Sequence, residues 1–260
     1  MIDARTGSGR NAGPRFVLAM APQRLASVRA IGMIAVERFS EIPMRKIALA
    51  PAVLLVAALS APILAQQDGP PALPGIADPG KVMAGTYTAD PAHTLVGWRV
   101  NHFGFNDYFG LFGDIEGTLE IDPAALADAS VTVTIPVAGV TVASSDLKDH
   151  LLRPGKDGGD PDFFGPSPAP ASFVSTQVVP TGDDRAMVTG DFTLNGVTRP
   201  VTLDVHFTGV GAGPMNDRQT VGFEASGIIK RSDFGVSYGV PMVSDEVELD
   251  ITAAFEMDPA

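Results

Sequence analysis

Four histidines are the only side chains of this 260-residue chain with ordinary pKa values near neutrality, because cysteine is absent. His93, His102, His150 and His206 show neither a His-x-His nor a His-x3-His spacing, so no strand or helix aims two of them at one metal ion. Nucleophilic chemistry has no local signature either. There is no Gly-x-Ser-x-Gly turn, and the serines before His150, Ser144 and Ser145, sit in a short helix without a matching acid pattern. The missing cysteine also removes a thiolate nucleophile, a disulfide framework, a lipoprotein anchor and a cysteine zinc site. No catalytic residue, metal or cofactor is therefore assigned. His102 keeps three readings: a core histidine bonded to a backbone carbonyl, a polar contact to a ligand head group, or a metal ligand or general base. A general-base role for His102 would require a second polar group within about 3 Å of the ring.

The segment around His102 reads as a strand. In LVGWRVNH, Val96, Trp98, Val100 and His102 share one face, and Leu95, Gly97, Arg99 and Asn101 share the other. Arg99 marks its face as solvent, so Trp98 and His102 point inward, while His93 belongs to the turn before them. The same period of two recurs along the chain. Ile115, Gly117, Leu119 and Ile121 alternate with acids and Thr118; Val131, Val133, Ile135 and Val137 follow. Val201, Leu203, Val205 and Phe207 alternate with Thr202, Asp204 and His206, which places His206 outside. Val247, Leu249, Ile251, Ala253 and Phe255 alternate with Glu248 and Asp250. Strands are expected near 85–90, 95–104, 112–122, 130–142, 171–180, 186–194, 197–210, 220–231 and 246–257, the first as an edge. One-sided strands joined by turns such as Asn195-Gly196 mean antiparallel sheet with one buried face, and about eight of them can close into a barrel. One short helix is expected in SSDLKDHLL, capped by Ser144 or Ser145. After it, residues 153–170 form a long irregular loop holding Phe163-Phe164.

Upstream of the strands, residues 44–65 carry a positive start at Arg45 and Lys46, an apolar run from Ile47 to Leu64, and small residues up to Ala65. That is the pattern of a secretory signal peptide cut after Ala65. Residues 1–43 are an upstream extension, with Met44 a candidate start, and 66–84 read as a Pro/Gly-rich linker. Eight of the 18 basic and three of the 30 acidic residues lie in 1–65, leaving 10 basic and 27 acidic, a formal net of −17. So acidic a surface repels phosphate backbones and excludes nucleic acid as a partner.

Fourteen phenylalanines and many glycines within strands suggest an interior left partly open, with aromatics as apolar walls. The expected ligand wall comprises Trp98, Val100, His102, Phe105, Phe109, Phe112, Phe163, Phe164, Phe173, Phe192 and Phe234. Phe163 or Phe164 is expected at the pocket mouth, as a lid or a fixed plug, with PGKDGGD mobile beside it.

His93-Thr94-x-Val96-x-Trp98-x-Val100-x-His102-x-Gly104 resembles the His-Ser/Thr-x-Val-x-Phe-x-Val-x-His-x-Gly opening of the YceI-like, polyisoprenoid-binding family. Residues 190–203, 222–235 and DHLLRPGKDGGDPDFF resemble further blocks of that family, in the same order across 85–257. The resemblance implies an all-β, lipocalin-like closed antiparallel barrel, exported to the periplasm and enclosing an isoprenoid lipid such as a quinone. Beyond the resemblance, a transient membrane contact, a membrane redox partner and a homodimer are open partner readings for a soluble carrier, and an enzyme acting on a quinone or lipid, with His102 as acid/base, is the alternative. The chain departs from the family pattern in two places: PGKDGGD is inserted, and only Thr141 remains of the usual Asp-Thr.

Overall fold

Alternation along the chain becomes ten antiparallel strands in the computed structural model, which describes residues 72–259. They are β1 (Gly85–Ala89), β2 (Leu95–His102), β3 (Asn106–Phe112), β4 (Glu116–Ile121) and β5 (Ser130–Ile135), then β6 (Ala171–Pro180), β7 (Arg185–Leu194), β8 (Val197–Ala212), β9 (Gln219–Lys230) and β10 (Glu246–Met257). Eight of them close on themselves in the order β1-β4-β5-β6-β7-β8-β9-β10, and β10 returns to β1 through Tyr87↔Met257 and Ala89↔Phe255. Closure of these eight strands pairs β1 with β10, two strands that an open eight-stranded sheet would leave as edges, while β3 stays an edge strand bridged only at Leu111↔Thr141.

The edge of β10 is shared. β1 takes its last residues, and β2 takes Glu248 to Thr252, with Trp98 opposite Leu249. The break falls at Asp90–Thr94, where the chain makes a turn. Asp90 accepts from the Ala92 amide at 2.9 Å and pairs with His93 Nδ1 at 2.6 Å, so His93 is a turn residue, exposed as expected. The buried Thr94 hydroxyl stands 3.2 Å from both the N–H and the carbonyl of Ala254, replacing the ladder bonds the break removes.

Three boundaries differ from the sequence expectation. The strand expected at 112–122 begins only at Glu116, and Asn106–Phe112, not expected as a strand, forms β3, folded back on β2 as a hairpin. β5 stops at Ile135 because Pro136 has no amide to donate, and a 3-10 turn follows at Val137–Gly139. The stretch read as linker is partly built in: Ile76 exchanges two 2.9 Å backbone bonds with Val210, past the point where β7 ends and leaves β8 unpaired. The helix α1 (Ser145–Leu152) forms as expected, with Ser144 Oγ accepting from the Leu147 amide at 3.2 Å. The expected signal peptide and upstream extension lie outside the described residues.

The inward residues form two clusters. Tyr87, Phe207, Val221 and Phe255 fill one end of the barrel; Ile135, Phe173, Val188, Ile229 and Val247 belong to the other. Glycine within the strands makes room for rings rather than for a ligand. A methyl at Gly110 would collide with the indole of Trp98, its cross-strand partner, and one at Gly190 would strike the Phe173 ring. Each aromatic lies over a neighbour's bare backbone, which thins the wall and keeps the barrel centre clear.

Candidate ligand-binding cavity

Between the clusters runs a cavity of about 1380 Å³. Its middle is built by the alternating positions: Val96, Trp98 and Val100 from β2, Phe173 from β6, Phe192 from β7, Leu203 and Val205 from β8, and Leu249 and Ile251 from β10. One end is floored by Pro79, Val82 and the Pro180–Arg185 turn. The other is rimmed by His102, Phe103, His150, Phe163, Tyr238 and Met242.

Of the eleven residues expected on the ligand wall, eight border this space: Trp98, Val100, His102, Phe112, Phe163, Phe164, Phe173 and Phe192. Three do not. Phe105 sits at the tip of the β2–β3 turn and is 88% exposed, and Phe109 lies on the outer face of β3, 67% exposed and 5.9 Å below the Arg99 guanidinium. Phe109 carries an odd number on a strand whose even positions, Tyr108, Gly110 and Phe112, face inward, and Phe105 precedes that strand in the turn. Phe234 is buried behind the wall, its ring edge-on to Phe192 at 5.2 Å. It supports a lining residue and does not line.

His102 is not a core histidine. β2 runs past the barrel wall, so the ring stands exposed at the rim, edge-on to Phe103 at 4.5 Å. Among the described residues its side chain has no hydrogen-bond partner, so the second polar group that an acid/base role requires does not stand beside it. No cluster of histidine and carboxylates suited to a metal occurs among the described residues.

The mouth rests on a residue that strand periodicity does not reveal. Arg231 is 6% exposed, and its guanidinium donates to the carbonyls of Ser244 (2.8 Å), Val236 (3.0 Å), Tyr238 (2.9 Å) and Val243 (3.0 Å). It thus pins both ends of the 236–244 loop. Burial pushes its pKa below the ordinary arginine value while Asp245 opposes the shift; an arginine stays charged regardless. The loop is stitched to the β2–β3 turn by the Phe103 amide on the Met242 carbonyl at 2.8 Å.

A third segment closes the rim. His150 Nε2 and Arg153 Nη2 both stand 2.8 Å from one oxygen of Asp162, which ties α1 to the loop before Phe163. The bonds from Arg153 and then His150 hold the Asp162 carboxyl below its usual value. His150 packs edge-on against Phe163 and Tyr238, each at 5.0 Å, and Phe164 turns inward onto Phe112 at 6.1 Å. PGKDGGD, expected mobile, carries a 3-10 turn at Lys156–Gly158. Two donors complete the site. Among the described residues, Trp98 Nε1 and the Tyr108 hydroxyl are buried without a hydrogen-bond partner, on rings 6.4 Å apart that both border the cavity.

A family profile described as the YceI-like domain matches residues 87–255, the closed barrel from β1 to β10. The chain belongs to the YceI-like family. Its relatives in the family include the protein YceI of Escherichia coli O157:H7, 36% identical over 176 residues, which are 66% of this chain and 87% of that protein. A UPF0312 protein of Pseudomonas fluorescens is 35% identical over 175 residues, with the same coverage. Among solved structures, Burkholderia cenocepacia BcnA superposes with a TM-score of 0.52 at 27% identity, over 64% of this chain and 98% of that one. Campylobacter jejuni YceI gives 0.50 at 26%, over 61% and 90%. The YceI-like barrel is therefore common to them and to this chain.

Sequence reasoning missed Arg231, His150, Tyr108, Tyr238 and Met242 as parts of the site. Arg231 and His150 had a signal, since both stand in family-like blocks, RSDFG and DHLL; the others sit at element ends or on β3, where no period of two had been read.

Proposed function

We propose that this protein is an exported binding and carrier protein for a polyisoprenoid lipid, an isoprenoid quinone or a relative, held lengthwise in the barrel. The observation that carries the reading is the cavity: its 1380 Å³ exceeds the roughly 1,000 Å³ upper range of drug-sized pockets, and its middle is apolar. An apolar volume of that size suits a chain of repeating apolar units better than a compact substrate. Each buried methylene contributes about 0.8 kcal/mol, so a few isoprene units bind tightly without charge pairing, less the entropy of ordering the tail. Trp98 Nε1 and the Tyr108 hydroxyl would receive a head-group oxygen. Residues 44–65 support delivery to the periplasm, where a carrier between membranes is needed.

The chain supplies its own probe, since Trp98 is its one tryptophan. A quinone entering the cavity should quench Trp98 fluorescence stoichiometrically, and native mass spectrometry of protein recovered from a periplasmic extract should show a prenyl lipid adduct. Unchanged fluorescence together with an adduct-free mass would sink the reading.

A further inference from the structure

The mouth is rimmed unlike the rest of the molecule. Residues 66–260 carry 27 carboxylates, yet the turn Phe103–Asn106 and the loop Val236–Val243 contain no aspartate, glutamate, lysine or arginine. What they expose instead is apolar: Phe105 at 88%, Met242 at 58%, Tyr238 at 49% and Phe103 at 46%. Singly exposed hydrophobics elsewhere on the barrel, such as Ile228 and Met187, need no explanation. These four belong to two segments joined by backbone bonds, and three of them also line the cavity, so the patch is continuous with its opening. Phe103 even occupies a left-handed backbone conformation, φ 57°, which suits glycine or asparagine far better than a bulky ring. Arg231 holds the second loop rigidly in place.

We infer that the Phe103–Asn106 turn and the Val236–Val243 loop form a membrane-docking face, which seats the mouth on a bilayer with little anionic charge. The inference rests on the carrier reading for its purpose. A ligand that fills an apolar cavity leaves it through an apolar seal or through water, and a rim of Phe, Tyr and Met dipped into the interface provides the seal. Asp107, next in sequence to the turn, is offset by Arg99 at 3.8 Å. The other side of the mouth, residues 153–162, is charged and stays in water, so the barrel docks tilted. Because the chain is acidic as a whole, attraction comes from aromatic insertion and not from charge.

The test is flotation of the full chain with vesicles of phosphatidylcholine, alone or mixed with phosphatidylglycerol, together with transfer of a fluorescent prenyl probe between vesicles. Binding to phosphatidylcholine should be indifferent to salt and weaker on the mixed vesicles. Phe105→Ser, at a residue off the cavity wall, should lower vesicle partition and transfer rate about tenfold, as loss of one inserted aromatic does. Phe105→Trp should keep both. Probe affinity in solution should be the same for all three proteins. Wild type that does not float, a Phe105→Ser protein that floats and transfers as wild type does, or binding that grows with phosphatidylglycerol and fades with salt would each overturn the docking face. Failure of wild type to take up the probe in solution would instead strike the carrier reading and leave flotation to judge the face.

Discussion

Trp98 and His102 are four residues apart on one strand, point the same way, and do different work. Trp98 lies over Gly110 inside the barrel; His102 stands at the rim with only Phe103 beside it. Trp98→Ala should therefore weaken retention of a prenyl lipid at least tenfold, the worth of a buried side chain of that size, while His102→Ala should change it less than about fivefold. Equal losses, measured by equilibrium binding of a fluorescent prenyl probe, would move the head group to His102. Tyr108→Phe removes one donor and no wall, so affinity for a prenylquinone should fall about fivefold while a prenyl hydrocarbon binds as before. Arg231→Met should cost about 3 kcal/mol or more in denaturant unfolding, because four loop carbonyls lose a charged donor together. Parity legibly placed Trp98 and Val100, since Arg99 fixed the outward face of their strand, whereas Phe173 and Phe192 were expected only as aromatics within strands. It failed at Phe105 and Phe109, where no charged residue had been used to fix the face of β3. Phe234 misled for another reason: a buried ring can stand one layer behind the wall.

At the level of elements, the 153–164 loop decides whether the mouth opens. Phe163 stands at the rim and Phe164 turns inward, the expected placement at the mouth. Replacing both by Ser should speed probe release if they gate, and lower the melting temperature without changing release if they plug. The tether can be tested separately. Asp162 is held below its ordinary carboxylate pKa of 3.8 by Arg153 and His150, so its stabilising contribution is complete above that value and is lost as pH falls further through the lowered one. Release should thus be flat with pH through the weakly acidic range and accelerate only below about 4. Asp162→Asn should release fast at every pH, and a mutant still slow at neutral pH would show that the aromatic contacts alone hold the loop. Most strands were readable from alternation. The β3–β4 division was not, because glycine-rich residues 104–117 interrupt the period without naming the turn. The pairing of Ile76 with Val210 lacks any local pattern and follows from the unpaired length of β8 beyond β7.

For the molecule as a whole, a container this apolar is more stable full than empty. Ligand at a hundredfold excess over its Kd should stabilise the fold by about 2.7 kcal/mol, visible as a higher melting temperature in the presence of a prenylquinone. No shift with saturating ligand would mean that binding occurs outside the barrel. The closed architecture was legible as a strand count, but the partner that closes it was not, since nothing in β1 announces β10. That contact has a consequence in time. Tyr87 and Met257 are paired although 170 residues separate them, so the barrel has two raw edges until its last strand is made. Such distant pairing delays folding, and a ribosome-bound chain lacking β10 has no way to finish. The nascent barrel therefore stays unclosed until β10 has been made. Refolding followed by Trp98 fluorescence should be slow and should not go to completion in a chain ending before Glu246. Compact folding of that shortened chain would show that closure is not the late step.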